Sequence, residues 1–351
     1  MAVRLLFLDD DPVVRVLRVI LSSDQDPWIA DYFAPEHIDL TKLLKAAKGL
    51  RGCDGAVIGE GSAFADASVA IFRRGEIDRA FMTRHPRLKL IQRLGERTDG
   101  IDLAAAAERG IRVSCLPRRT LLYTAEHGML LMLALTKRLL AADRAVRDGQ
   151  SVSPPSAQAG SVVYNWAAFN VAGLYGKTLG IVGMGEVGFL LAKLAHAFGM
   201  SIVYTKRRRA APEQEAAVGA RFVSETELLS GSHFVSLMLP NLPEYAGYAG
   251  SQFFAAMRPD AYFLNMSRGV LVDEDALHQA LVTSRIAGAA LDVHAIEPRP
   301  AMDRFSKLEN VVMTPHFAGG AKSGLLDEFE VIANNCHAAL RGAAPRYEVH
   351  A

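Results

Sequence analysis

Short apolar runs recur along this chain, and each gives way to a glycine, proline or polar residue before residues of helical period follow. The runs at 3–9, 55–59, 88–94, 111–114, 178–182, 201–205, 234–239, 261–265, 287–292 and 310–314 are apolar almost throughout, which predicts strands buried on both faces. Helical patterns occupy 13–21, an alanine-rich stretch after Asp102, 121–147 and 273–282. Another helix follows the glycines at 183–188, with Leu190, Leu191, Leu194 and Phe198 on one face and Gly199 as its stop. Strands alternating with helices predict an α/β fold on open parallel sheets. Pro117 and the pair Arg118-Arg119 interrupt the alternation, and a domain crossing is expected there. Residues 149–176 are rich in Ser, Ala, Pro and Gly around Trp166 and too apolar for a free linker, so a packed arm or subunit contact is expected.

Length and composition narrow the class. Half of the 351 residues are apolar, enough for more than one core. Net charge is +1, from 39 basic and 38 acidic residues, which argues against nucleic acid as a partner. Cys53, Cys115 and Cys336 lack metal or disulfide spacing, so no metal site is expected and a reducing compartment suits them. No basic-then-apolar leader is visible, and the richest apolar stretch, 128–135, is too short to span a bilayer. A cytoplasmic protein without membrane contact is the expectation. Asp9-Asp10-Asp11 at the end of the first run suggests the metal pocket of a receiver domain, but that needs a phosphoacceptor where the chain has Glu60. A solvated strand end is the simpler reading.

The candidate chemistry lies at strand ends. Gly183, Gly185 and Gly188 stand at G-x-G-x-x-G spacing between a strand and a helix, where they permit a tight turn, close approach of a pyrophosphate and close helix packing. Arg268, Glu297 and His316 each follow one of the last three strands. Ligands of a doubly wound sheet bind beyond its carboxyl ends, so these three can converge on one crevice. A guanidinium suits a carboxylate, an imidazole can hand a proton to a carbonyl oxygen, and a neighbouring acid would orient that imidazole and favour its protonated form. Singly, each has a plainer explanation as a surface ion pair or a satisfied histidine. Glu126 and His127, near the start of the 121–147 helix, suit capping as well as chemistry.

Taken together, the motifs resemble the D-isomer-specific 2-hydroxyacid dehydrogenase family from about Leu88 to Pro345. The resemblance rests on Ala125-Glu-His127, the glycine loop from Gly176 to Gly188, Glu227-Leu-Leu-Ser230 and Ser267-Arg-Gly-Val-Leu-Val-Asp273. It also rests on Gly288-Ala-Ala-Leu-Asp-Val293 with Glu297-Pro298, and on Thr314-Pro-His316. It implies two Rossmann-like doubly wound parallel-sheet domains with the active site in the cleft between them. The substrate-binding domain would be 1–117 with 318–351, and the dinucleotide-binding domain 118–317 with its arm 149–176. Arg268, Glu297 and His316 would be catalytic, and a homodimer would form through the nucleotide domain and its arm. The implied cofactor site comprises Gly183, Met184, Gly185, Glu186, Val187, Gly188, Lys206, Arg207, Arg208, Pro240, Met266, Ser267 and Asp292. Glu96 and Arg97, with Arg268 and His316, would hold the substrate.

Two positions depart from the family pattern. Gly95-Glu-Arg-Thr-Asp99 puts Arg97 where the family's carboxylate-holding loop has a second glycine, either to reach a second anionic group or to turn to solvent. Lys206-Arg-Arg-Arg209 replaces the acid that an NAD-selective unit places after its second strand, so NADP is the expected cofactor, with NAD possible. The reading is an NAD(P)-dependent 2-oxo acid reductase, nearest in appearance to glyoxylate and hydroxypyruvate reductases. The rival is a nucleotide-sensing binding protein of corepressor type.

Overall fold

The computed structural model describes residues 5–9, 11–21, 45–48, 50, 65–149, 169–320 and 322–351. The run at 55–59 with Glu60, as well as Asp10, Cys53, Trp166 and most of the expected arm, lies outside the described residues. The chain divides into two compact units, Met1–Thr120 with Ala321–Ala351, and Leu121–Gly320.

The first unit opens with β1 (Leu5–Phe7), α1 (Pro12–Leu21), β2 (Val69–Phe72) and α2 (Arg79–Arg84). It continues with β3 (Leu90–Leu94), α3 (Leu103–Glu108) and β4 (Arg112–Leu116). Asp78 and Asp102 start α2 and α3 by accepting from the amides of Phe81 and Ala105, which have no carbonyl within the helix to bind. Asp9 and Asp11 are tied into the fold rather than left as a solvated strand end. Asp9 accepts from the amides of Asp11, Arg73 and Arg74, and Asp11 pairs with the Arg73 guanidinium, so both tie the end of β1 to the end of β2. No cluster able to hold a metal occurs among the described residues.

The second unit holds α4 (Arg119–Thr136) from Leu121 onward, α5 (Leu139–Arg147), β5 (Thr178–Val182), α6 (Glu186–Ala197), β6 (Ser201–Thr205), α7 (Pro212–Ala217) and β7 (Ala220–Phe222). After these come α8 (Glu225–Gly231), β8 (Phe234–Leu237), α9 (Ser251–Ala256), β9 (Tyr262–Asn265), α10 (Glu274–Val282), β10 (Gly288–Leu291) and β11 (Val311–Met313). Their sheet runs β11-β10-β9-β8-β5-β6-β7, parallel throughout. The order reverses between β5 and β8, which is where an open α/β sheet offers a crevice to a ligand. Phe253, Phe254, Phe263 and Leu277 belong to one core cluster of this unit, and Met132, Leu191, Tyr204 and Leu264 to another. The chain then returns to the first unit with α11 (Lys322–Leu340) and β12 (Glu348–Val349), which pairs antiparallel with β4 and completes the sheet β1-β2-β3-β4-β12.

Two expectations need correction. The single helix at 121–147 is two, α4 and α5, broken at Arg138, which adopts a left-handed φ of 51°. The Thr136 carbonyl accepts from the amide of Ala172 at 2.8 Å, so a tertiary bond draws it out of the helical ladder. Phe198 is not on the buried face of α6: it follows the last turn and is 46% exposed, while Leu191 is buried. Gly199, at φ 77°, ends that helix as expected. No helix among the described residues is long and apolar enough to cross a membrane.

Candidate active site

The glycine loop joins β5 to α6. Gly183 has φ 93°, and a Cβ there would press on the Met238 carbonyl at 2.9 Å. Gly188 lets α6 lie on β5, since its Cβ would meet Ile181 at 3.2 Å. At Gly185 a Cβ would meet nothing within 4 Å, and no side chain caps α6. The first amides of α6, from Glu186 and Val187 onward, therefore face an open cradle with the positive end of the helix behind it, which fits a dinucleotide pyrophosphate. Met184 is buried in the core, so what it offers to a ligand is backbone.

At the end of β9, buried Asn265 shapes a turn by donating to the Arg268 carbonyl at 2.9 Å and accepting from the Ser267 amide at 3.0 Å. The Ser267 hydroxyl donates to the Leu239 carbonyl, beside Pro240, linking the ends of β9 and β8. Met266 is buried, with its side chain packed against Gly128 of α4. A Cβ at Gly269 would lie 2.0 Å from the His294 carbonyl carbon, so only glycine lets the Arg268 turn close onto the loop after β10.

That loop carries Glu297. Its Oε2 lies 2.7 Å from His316 Nδ1, and its Oε1 accepts from the His294 amide at 2.9 Å. Burial raises the Glu297 carboxyl, but the bonds from His316 and the His294 amide outweigh it and leave the group below the usual carboxylate range. The loop is braced from behind. Arg299 donates to both oxygens of Glu274 and to His294 Nδ1 at 3.1 Å and forms an ion pair with Asp303, while His294 Nε2 donates to the Thr314 carbonyl at 2.9 Å. His294 thus joins the segments bearing Glu297 and His316.

His316 has a left-handed φ of 56°, uncommon for a residue with a side chain, and Asp292 supports the turn that imposes it. Asp292 is fully buried at the end of β10. One oxygen accepts from the Thr314 hydroxyl at 2.6 Å and the Phe317 amide at 3.1 Å, the other from the Ala318 amide at 3.0 Å. With its proton directed at Asp292, the Thr314 hydroxyl accepts from His127 Nε2 at 3.0 Å. Burial pushes the His127 imidazole below its usual value against the opposing pull of Asp292. His127 therefore does not cap α4, and Glu126 lies on its exposed face.

The basic segment after β6 is not four free cations. Arg209 forks onto Glu215 of α7, donating from Nε at 2.9 Å and Nη2 at 2.7 Å, and the Tyr204 hydroxyl donates to the same carboxylate at 2.7 Å. The bonds from Arg209 and then Tyr204 bring the Glu215 carboxyl down to about 2. Lys206, half-buried, and the exposed Arg207 and Arg208 form the turn between. In the other unit, Arg97 is 62% exposed and forks onto Asp99, while Arg93 beneath them donates to the Asp99 carbonyl.

Residues 129–318 match the family described as D-isomer specific 2-hydroxyacid dehydrogenase, NAD binding domain. The chain belongs to that family. A glyoxylate reductase of Thermococcus litoralis is 37% identical to this dehydrogenase over 77% of its chain and 79% of the relative's. A glyoxylate reductase of Korarchaeum cryptofilum is 36% identical, over 77% and 78%. A Thermus thermophilus protein of known structure matches with a TM-score of 0.56 and 29% identity over 99% of both chains. The dehydrogenase is thus an enzyme that uses a nicotinamide dinucleotide on a small 2-oxo or 2-hydroxy acid. Beyond the strand-end residues expected from its sequence, the structure adds Thr314, His294 and Arg299 as supports of Glu297 and His316. Thr314 stands within the Thr314-Pro-His316 motif, and the only sequence signal of His294 and Arg299 is a polar side chain beside the Val293 and Glu297-Pro298 motifs.

Proposed function

We propose that this dehydrogenase reduces a glyoxylate- or hydroxypyruvate-like 2-oxo acid to the D-2-hydroxy acid, with NADPH preferred and NADH accepted. The observation that carries the reading is the 2.7 Å pair of His316 Nδ1 and Glu297 Oε2, which leaves Nε2 to face a substrate. The substrate class is taken from the names of the two archaeal relatives. In this reading Arg268 grips the carboxylate and keeps the carbonyl in plane, and His316 Nε2 gives its proton to the carbonyl oxygen. Glu297, ionised through the neutral range, holds the ring in line for that transfer. The bound nicotinamide supplies the hydride.

We assign dinucleotide binding to the Leu121–Gly320 unit and substrate recognition to the other, with the Glu96–Arg97 turn as its candidate element. Gly183 to Gly188 would seat the pyrophosphate, and Lys206, Arg207 and Arg208 the 2′-phosphate that distinguishes NADPH. Pro240, Met266, Ser267 and Asp292 ring the strand ends where the nicotinamide would lie, Met266 through its backbone. Self-association through the same unit is supported by Leu130, Leu139, Leu140 and Val146, which α4 and α5 expose at 48–79%. The test is a panel of 2-oxo acids with NADPH and NADH, followed by nicotinamide absorbance. Short 2-oxo acids with NADPH should lead by at least about tenfold, as expected for one or two charge-assisted bonds to a phosphate. Equal specificity constants for the two cofactors would remove the NADPH preference, and a preference for bulky 2-oxo acids would remove the substrate class.

A further inference from the structure

We infer that Tyr204 and Glu215 are positioning residues for cofactor choice, a clamp that holds the basic turn in the shape a 2′-phosphate needs; this rests on the NADPH reading above. Tyr204 ends the buried part of β6, and its hydroxyl does two things at once: it donates to Glu215 Oε1 at 2.7 Å and accepts from the Ala210 amide at 2.9 Å. The start of the turn is thereby bonded to its end. Glu215 is only 8% exposed, and Oε1 also accepts from Arg209 Nε while Oε2 takes Nη2. A carboxylate is rarely buried unless paired, and this one is held by three bonds, all from residues that bracket Lys206, Arg207 and Arg208. The Tyr204 ring is fully buried and packs edge-on against Phe222 at 5.4 Å, so the clamp is anchored in the core.

Lys and Arg side chains on an unsupported loop lose conformational freedom when they close on a phosphate, and fixing the backbone beforehand reduces that loss. Charge alone argues the other way. Glu215 places a negative charge beside the turn and neutralises Arg209, so its removal would free a fourth cation and tighten phosphate binding. The clamp and the charge count therefore give opposite signs for one substitution.

The test is calorimetric titration of the purified enzyme, Glu215→Gln and Tyr204→Phe with 2′,5′-ADP and with 5′-ADP, which differ by the 2′-phosphate alone. The wild type should favour 2′,5′-ADP by at least about tenfold, and each variant should lose most of that ratio, roughly three- to tenfold of it, as loop ordering is added to binding. Tyr204→Phe changes no charge and keeps the ring in the core, so it reads the clamp separately from the charge. Variants that keep the ratio or raise it would overturn the clamp and leave the NADPH reading intact. A wild type without the ratio would instead remove the NADPH reading, and the clamp's role with it.

Discussion

Replacing Thr314 by valine tests how the turn that carries His316 is held. The exchange keeps the shape at Cβ and removes one hydroxyl, which accepts from His127 at 3.0 Å and donates to Asp292 at 2.6 Å. Both partners are buried, with side chains 5% and 1% exposed. A bond to a charged acceptor contributes about 1.5–3 kcal/mol, and stranding the His127 N–H adds about 1–3 kcal/mol. The His127 ring lies 3.6 Å from Asp292, close enough to shift and recover part of this, so a net loss of about 2–4 kcal/mol is expected. For a unit of this size that lowers the thermal midpoint by roughly 5–15 °C. His316 follows two residues on at its left-handed φ, and loosening its turn should lower kcat by about tenfold or more with cofactor affinity little changed. Thr314→Ser, which keeps the hydroxyl, should restore most of both. Scanning calorimetry and steady-state kinetics read the two effects. A valine variant with wild-type midpoint and kcat would refute the argument that Asp292, Thr314 and His127 hold the turn.

Gly269→Ala, whose Cβ would strike the His294 carbonyl carbon from 2.0 Å, should push the Arg268 turn off the Glu297 loop and raise KM for the 2-oxo acid more than it alters cofactor binding; unchanged KM would show that the loops have room. Arg97 is engaged by Asp99, so Arg97→Gly should leave the ranking of 2-oxo acids unchanged, and a reordered panel would mean that the side chain selects substrate. Glu215 titrates near 2 in the folded chain against a usual 4.5, so the stability it contributes is full above pH 4.5 and is lost as pH falls toward 2. Urea midpoints followed from pH 6 to about 3 should therefore fall less steeply for Glu215→Gln than for the wild type, and parallel curves would contradict the shift.

What could be read from the sequence follows from physics local to each segment. Parallel strands buried on both faces write themselves as continuous apolar runs, so β5, β8, β9 and β10 were legible, with Arg268 and Glu297 after the last two; β11, the edge strand before His316, reads as an apolar run although it is only half-buried. The glycine loop was legible because Gly183 and Gly188 answer separate steric demands of the chain, while Gly185 leaves the cradle before α6 open. The break between α4 and α5 was not, because Arg138 is neither glycine nor proline and its left-handed turn accompanies a bond from Ala172 to Thr136. His127 looked like a helix-start residue because its partner Thr314 lies 187 positions away. The fork of Arg209 onto Glu215, which sets it apart from Lys206, Arg207 and Arg208, was not legible because nothing local to the basic segment specifies it.

The central claim is that His316, held by Glu297, delivers the proton in 2-oxo acid reduction. It is tested most directly by single-turnover reduction of glyoxylate by His316→Ala with NADPH prebound, followed by nicotinamide absorbance, with NADPH affinity measured separately by fluorescence. The expected result is a rate lower by about 10²–10⁴-fold, the usual contribution of a positioned general acid, with NADPH affinity within about twofold of wild type. A variant that turns over at near the wild-type rate would contradict the assignment.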